Sequence, residues 1–220
     1  NKAIKIKPKY ADAYINLANL ASNRGKYGES IRYAEEALAR VEENLQDFRI
    51  AQIHYLLGSA LSFQGKHEQS LIHMTKGLEI AQNSYGEKSS ETARFIGNIG
   101  WYYYNLRNYD EAAKYYSLAL ENQQNIEENP SAVNMTLQLA LVRERQGKLL
   151  ESERLYRQLI PLIEKNYKEN KLRIATAYGN FGSLLTSLGK CEESKKALMK
   201  CLNAGNKSSN NSRISTIKRS

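Results

Sequence analysis

Apolar residues along Ile96–Gln124 fall into two helical periods separated by a short break. Ile96, Ile99, Gly100 and Tyr103 share one face at helical spacing, and Tyr109, Ala112, Tyr116, Ala119 and Leu120 share another. The residues between, Leu106–Asn108, leave room only for a tight antiparallel turn. The stretch therefore predicts a helical hairpin. Gly100, Ala112 and Ala119 are its informative positions, because small side chains let two helices approach closely while the aromatic rings fill the flanks.

The same pattern recurs four more times. The small place in the first helix is held by Ala18, Gly58, Gly100, Ala140 and Gly182. Ser30, Ser70, Ala112, Ser152 and Ser194 hold one small place in the second helix, and Ala37, Gly77, Ala119, Leu159 and Cys201 hold another. The turn place reads Gly25, Gly65, Arg107, Gly147 and Gly189, at steps of 40, 42, 40 and 42 residues. A fixed period carrying two helices predicts an all-α solenoid of stacked antiparallel hairpins over residues 9–204. The helix pairs drawn from it are 11–24 with 27–44, 49–64 with 67–84, 90–106 with 109–126, 131–146 with 149–166, and 172–188 with 191–204.

These residues resemble the tetratricopeptide repeat family. The shared features are an aromatic or apolar opener, a leucine–small pair, a turn glycine and two small residues seven apart. The resemblance runs over about residues 1–204, and it implies a right-handed superhelix whose first helices line the concave side. Ala3 to Ala37 spans 34 residues, the ordinary repeat length, so residues 1–8 are expected to be the end of a truncated upstream repeat. The longer period that follows is similar to the branch found in kinesin light chain and in LGN-type scaffolds.

Four glycines at the turns supply a left-handed backbone at little cost, whereas Arg107 in the same place costs roughly 1 kcal/mol. Asn129-Pro130 reads as a helix start, with proline in the first turn. Pro161 falls inside a helical pattern, and Leu159 is a large residue in a small place, so the fourth repeat is expected to be locally distorted. Residues 205–220 lose the periodicity and become serine, asparagine and basic residues, which predicts a disordered basic tail.

Charge and chemistry narrow the function. The net charge is +9, but the ends hold the excess: residues 11–202 carry 24 basic against 23 acidic residues. A nearly neutral array argues against an RNA-binding helical repeat, whose affinity rests on neutralising phosphates. Two cysteines without CxxC spacing, with no secretory or membrane-spanning apolar run, give a cytoplasmic expectation. The three histidines show no metal-ligand spacing, and His54 occupies the opener place held by Tyr14 and Tyr178, where packing explains it. No phosphate-binding loop, nucleophile elbow or dinucleotide fingerprint is present. The expectation is a protein that is not an enzyme, with no catalytic residue, cofactor, metal or small-molecule substrate.

The remaining chemistry is a binding surface. Asn16, Leu56, Asn98, Gln138 and Asn180 share one register, and asparagine is a poor helix-interior choice on propensity alone. An amide offers a donor and an acceptor, so a spaced row of them can hold an extended peptide backbone. Repeats of this family that grip extended peptides use a similar row, which is what the resemblance implies here. Trp101 and Tyr104 are three apart and share a face with Asn98 and Asn105. Asn19, Tyr55 and Phe63 on earlier first helices, Arg94, and Arg145 complete the candidate surface. Ile15 stands where a chaperone-tail clamp needs a lysine, which disfavours that subclass. Three readings stay open: a protein or peptide scaffold, the accessory or sensor part of a larger enzyme or regulator, and an RNA binder. Uncapped array ends add an expectation of self-association, with Leu198, Met199 and Leu202 exposed.

Overall fold

The computed structural model describes residues 11–41, 48–122 and 129–217, with side chains to 205. The expectations for residues 1–8 lie outside the described residues. Two compact units divide the chain, Asn1–Asn108 with Glu121–Gln124, and Tyr109–Leu120 with Asn125–Ser220. Every regular element among the described residues is an α-helix.

The first unit contains α1 (Ala11–Asn23), α2 (Tyr27–Leu38), α3 (Phe48–Phe63), α4 (His67–Tyr85) and α5 (Ser90–Asn105). Neighbouring helices pack in chain order, and the first helices of successive hairpins, α1 with α3 and α3 with α5, also touch. The core holds Ile15, Ala18, Ala34, Ala37, Ile53, Leu56 and Leu57, and continues through Ala51, Ile80, Ala81 and Phe95. Leu56, read above in register with the asparagines, is thus a core residue.

The second unit contains α6 (Tyr109–Glu121), α7 (Pro130–Arg145), α8 (Leu149–Asn166), α9 (Lys171–Ser187) and α10 (Cys191–Ile217). Its core gathers Val133, Leu137, Tyr156, Leu159, Ile163, Phe181, Leu184 and Leu185. Gln146, just past α7, donates to the Tyr109 carbonyl at 3.3 Å and to Asp110 at 2.6 Å, tying α6 to the α7–α8 turn.

Each of the five turns is closed the same way. The residue after the turn place donates its backbone N–H to a carbonyl five residues back: Lys26 to Ala21, Lys66 to Leu61, Asn108 to Tyr103, Lys148 to Arg143 and Lys190 to Leu185, all at 2.9–3.0 Å. This Schellman closure needs a left-handed residue at the turn place. Gly25, Gly65, Gly147 and Gly189 supply it with φ between 71° and 76°, and Arg107 supplies it with φ 58° at a cost of about 1–2 kcal/mol. The turn period marks the element ends closely.

Within each unit the small residues lie where the helices of a hairpin meet. Ala18, Gly58, Gly100, Ala140 and Gly182 are all buried. The serines do more than stay small: Ser30, Ser70, Ser152 and Ser194 donate their hydroxyls to the carbonyls of Ala18, Gly58, Ala140 and Gly182 at 2.7–2.9 Å. One side-chain hydrogen bond therefore staples each of these hairpins at its closest approach, while Ala112 has no hydroxyl to offer.

One local expectation is corrected. The last helix does not give way to a disordered tail at 205: α10 is continuous to Ile217. Gly205 is not among the residues with left-handed backbone, and no proline follows, so no stop signal interrupts the helix. At Pro161, where a local distortion is expected, the helix itself is continuous. α8 runs through the proline from Leu149 to Asn166, and Pro161 is exposed, so water can serve the carbonyl one turn back that lacks its N–H partner. Leu159 is accommodated in the core beside Tyr156 and Ile163.

Candidate functional site

On the first unit, the site residues lie on α1, α3 and α5. Asn16 is exposed and Asn19 half-buried on α1; Tyr55 is half-buried and Phe63 exposed on α3; Asn98, Trp101 and Tyr104 are half-buried on α5, between exposed Arg94 and Asn105. The structure brings some of these together. The Phe63 and Trp101 rings lie 5.4 Å apart with their planes tilted by 58°, and Asn105 donates its amide to the Trp101 carbonyl at 3.0 Å.

Sequence reasoning missed the third member of this group. Tyr27 stacks on Phe63 at 4.5 Å with planes only 6° apart. The signal was available: Tyr27 stands two residues after Gly25 and Phe63 two before Gly65, so both sit at the turn ends of adjacent hairpins. The three rings form a row from α2 across α3 to α5. Phe63, at 49% exposure, is its most open ring, while Trp101 is half-buried against it. The Trp101 and Tyr104 side chains of the candidate surface are both half-buried. The open aromatic is Phe63, because the Phe63 ring covers part of Trp101.

The amides divide into two kinds. Asn19 donates to the Ile15 carbonyl at 3.2 Å and Asn105 to that of Trp101, so both spend a donor on their own helix. Asn16 and Asn98 make no side-chain hydrogen bond among the described residues. Asn98 lies one turn before Trp101 and Arg94 one turn before Asn98, so the three follow one face of α5. The Tyr55 hydroxyl is pushed above its ordinary range by burial, an effect the nearby Arg94 cation partly offsets.

Behind this face, His54 on α3 is buried and meets His73 on α4, Nδ1 to Nδ1, at 2.9 Å. Burial, then the charges of His73 and Lys76, lower the His54 imidazole to about 4. Histidine spacing in the sequence gave no hint of this contact, because the two residues meet across a helix pair.

On the second unit, Gln138 is half-buried and Arg145 exposed on α7, and Asn180 is half-buried on α9. Gln138 and Asn180 make no side-chain hydrogen bond among the described residues. The charged chemistry of this unit is elsewhere. Buried Glu153 accepts from Lys190 at 2.6 and 2.8 Å and from Arg157 at 2.7 Å. The Lys190 hydrogen bond holds that carboxyl below its ordinary range against the opposing effect of burial. Among the described residues no group of three metal-ligating side chains converges, and no helix is long and apolar enough to cross a membrane.

The family described as Tetratricopeptide repeat matches residues 11–48, 49–125 and 131–207. The chain belongs to the tetratricopeptide repeat family. A TPR repeat-containing protein of Methanocaldococcus jannaschii is 26% identical over 165 residues, which is 74% of this chain and 27% of that protein. This tetratricopeptide repeat chain thus spans about a quarter of the length of the curated relative it matches. Among solved structures it is similar to BtubC (BKLC) from P. vanneervenii, with a TM-score of 0.78 and 17% identity over 94% of this chain and 86% of that one. It is also similar to a putative kinesin light chain of Podosopora anserina with nearly identical TPR-like repeats, with a TM-score of 0.72 and 14% identity over 91% and 97% of the two chains. These likenesses show the fold, an all-α helical-repeat solenoid.

Proposed function

We propose that this tetratricopeptide repeat chain is a protein–protein interaction scaffold that holds an extended or short helical segment of a partner on the first helices of a unit, α1, α3 and α5 in the first. The observation that carries the reading is the aromatic row of Tyr27, Phe63 and Trp101, with Phe63 half open to solvent. An exposed ring fixed between two partly buried ones is a preorganised anchor, since its rotamer is set before a ligand arrives. Asn98, with its amide uncommitted, would hold the segment's backbone, and exposed Arg94 would favour an acidic or phosphorylated side chain. On the second unit Gln138 and Asn180 occupy the same register on α7 and α9, with Arg145 at the end of α7, and offer the same chemistry to a segment there. Such a scaffold needs no cofactor and performs no reaction.

A second reading is supported by the greater length of the archaeal relative: the repeats would serve a longer protein as its accessory or sensor portion. Both readings use the same face.

The test is selection of a displayed random-peptide library on the purified chain, followed by calorimetry with the selected peptides. Phe63→Ala should weaken binding about 30-fold, the scale of losing a central aromatic anchor, with an unchanged melting temperature. Equal affinity for the wild type and the variant would remove the face from consideration.

A further inference from the structure

Two glycines draw the seam between α3 and α4 tight. A Cβ placed on Gly58 would stand 2.7 Å from the Met74 Cγ and 3.0 Å from the Ser70 carbonyl. One placed on Gly77 would stand 3.1 Å from the Ala51 carbonyl. Between these two points of close approach lie His54, 3% exposed, and His73, half-buried, with their rings 5.1 Å apart. At 2.9 Å the two Nδ1 atoms share one hydrogen, so one ring donates through Nδ1 and the other accepts.

We propose that the His54–His73 contact is a proton-sensitive latch on the α3–α4 seam, closed when both imidazoles are neutral and loosened by acid. A first proton places a cation in the tight seam, and a second sets two N–H donors head to head. Neighbouring groups mostly oppose the charge. Lys76 on α4 disfavours it at both rings, whereas Glu35, reaching His73 from α2, favours it there. The other packed helices offer the pair little relief. Near Gly77, α5 presents the Phe95 ring, while its Arg94 acts on Tyr55. On α1, Asp12 faces Arg49 at 4.0 Å. Burial and these charges hold His54 near 4 and also lower His73. The unfolded chain therefore takes up protons below about 6.5 that the folded chain refuses, and the seam loses stability as the pH falls from there towards 4.

Because α3 carries Tyr55 and Phe63, loosening the seam would release a segment held on that face. This regulatory use rests on the binding reading above, but proton uptake is measured on the chain alone, so failure of one leaves the other standing. The protein has a single tryptophan, Trp101, whose ring meets Phe63 of α3, so its fluorescence reports on this unit. Urea unfolding followed at Trp101 should show the unfolded-to-folded ratio rising about 30-fold between pH 7.5 and pH 5. His54→Phe, which fills the opener place with a ring as Tyr14 and Tyr178 do, should reduce that rise to less than about threefold. The histidine ring protons of the wild type, followed by NMR, should show His54 titrating below pH 5 while the chain is folded. An unaltered acid response in His54→Phe, or a folded-state His54 titrating near 6.5, would overturn the latch.

Discussion

The second hairpin, α3–α4, and the fifth, α9–α10, are built on the same plan and have opposite electrostatics. Both close their turn through a left-handed glycine, and both staple their helices by a serine hydroxyl on a glycine carbonyl, at 2.7 Å for Ser70 and 2.8 Å for Ser194. The opener of the first helix is His54 in one and Tyr178 in the other, and a lysine follows each in the same register, Lys76 and Lys200. In the fifth hairpin Lys200 donates to the Tyr178 hydroxyl at 2.7 Å and Glu164 accepts from both, at 2.7 and 3.2 Å. In the second hairpin the lysine faces an imidazole pair and disfavours its protonation. The repeat dictates where helices touch; the opener decides whether the touching groups attract or repel when protons bind.

The largest difference between the two should appear at the glycines. At Gly58 an added methyl meets the Ser70 carbonyl and buried Met74, neither of which can retreat. At Gly182 it meets the side chain of Leu198, which is 40% exposed and has room to turn outward. Gly58→Ala should therefore lower stability by about 2–3 kcal/mol through overpacking. Gly182→Ala should change it by less than about 1 kcal/mol, because alanine's better helix propensity offsets a cheap side-chain shift. Urea unfolding of the two variants gives the comparison directly; equal losses would mean that the two seams are equally tight.

Acid separates the hairpins next. The about 30-fold change expected from His54 between pH 7.5 and pH 5 corresponds to about 2 kcal/mol. The Glu164 carboxyl works in a lower window. Its hydrogen bond from the Tyr178 hydroxyl, then Lys200, holds it below the usual 4.5, so its contribution is complete above that value and is lost only as the pH falls further. At pH 5 the core methyl signals of Leu184 and Leu185 should be unchanged by NMR while those of Ile53 and Leu57 respond. Simultaneous loss of both sets at that pH would erase the distinction.

How much of this was legible in the sequence follows from what kind of interaction each feature rests on. Turn residues act locally and need a particular backbone, so Gly25, Gly65, Arg107, Gly147 and Gly189 marked the hairpin ends without any tertiary knowledge. The small residues were legible as contacts, but the serine hydroxyl bonds were not, since spacing shows that a side chain is small and not what it donates to. Trp101 was singled out by residue type, yet its exposure depended on Phe63, which lies on another helix. The same limit hid Tyr27 and the His54–His73 pair: each meets its partner across a hairpin or between hairpins. The continuation of α10 past Gly205 was hidden for a different reason, because serine and asparagine weaken a helix without specifying where it stops.

The smallest expected effect is the most discriminating, because its sign differs between the hairpins. Lys76→Met removes a cation that disfavours charge on His54 and His73, while the methionine keeps most of the apolar stem. The His54 imidazole should then titrate closer to its ordinary value, and at pH 5 the variant should gain a few tenths of a kcal/mol, since exposed charges interact weakly through water. Lys200→Met removes a donor to both Tyr178 and Glu164 instead. Tyr178 keeps its bond to Glu164, so the loss should be about 0.5 kcal/mol or less, screened by the exposure of the lysine. Raising the salt concentration should shrink both effects towards zero, whereas a packing origin would leave them unchanged. Opposite signs at pH 5 and low salt would establish that one register position performs opposite work in the two hairpins. Two losses of equal size would mean that both lysines act through their stems.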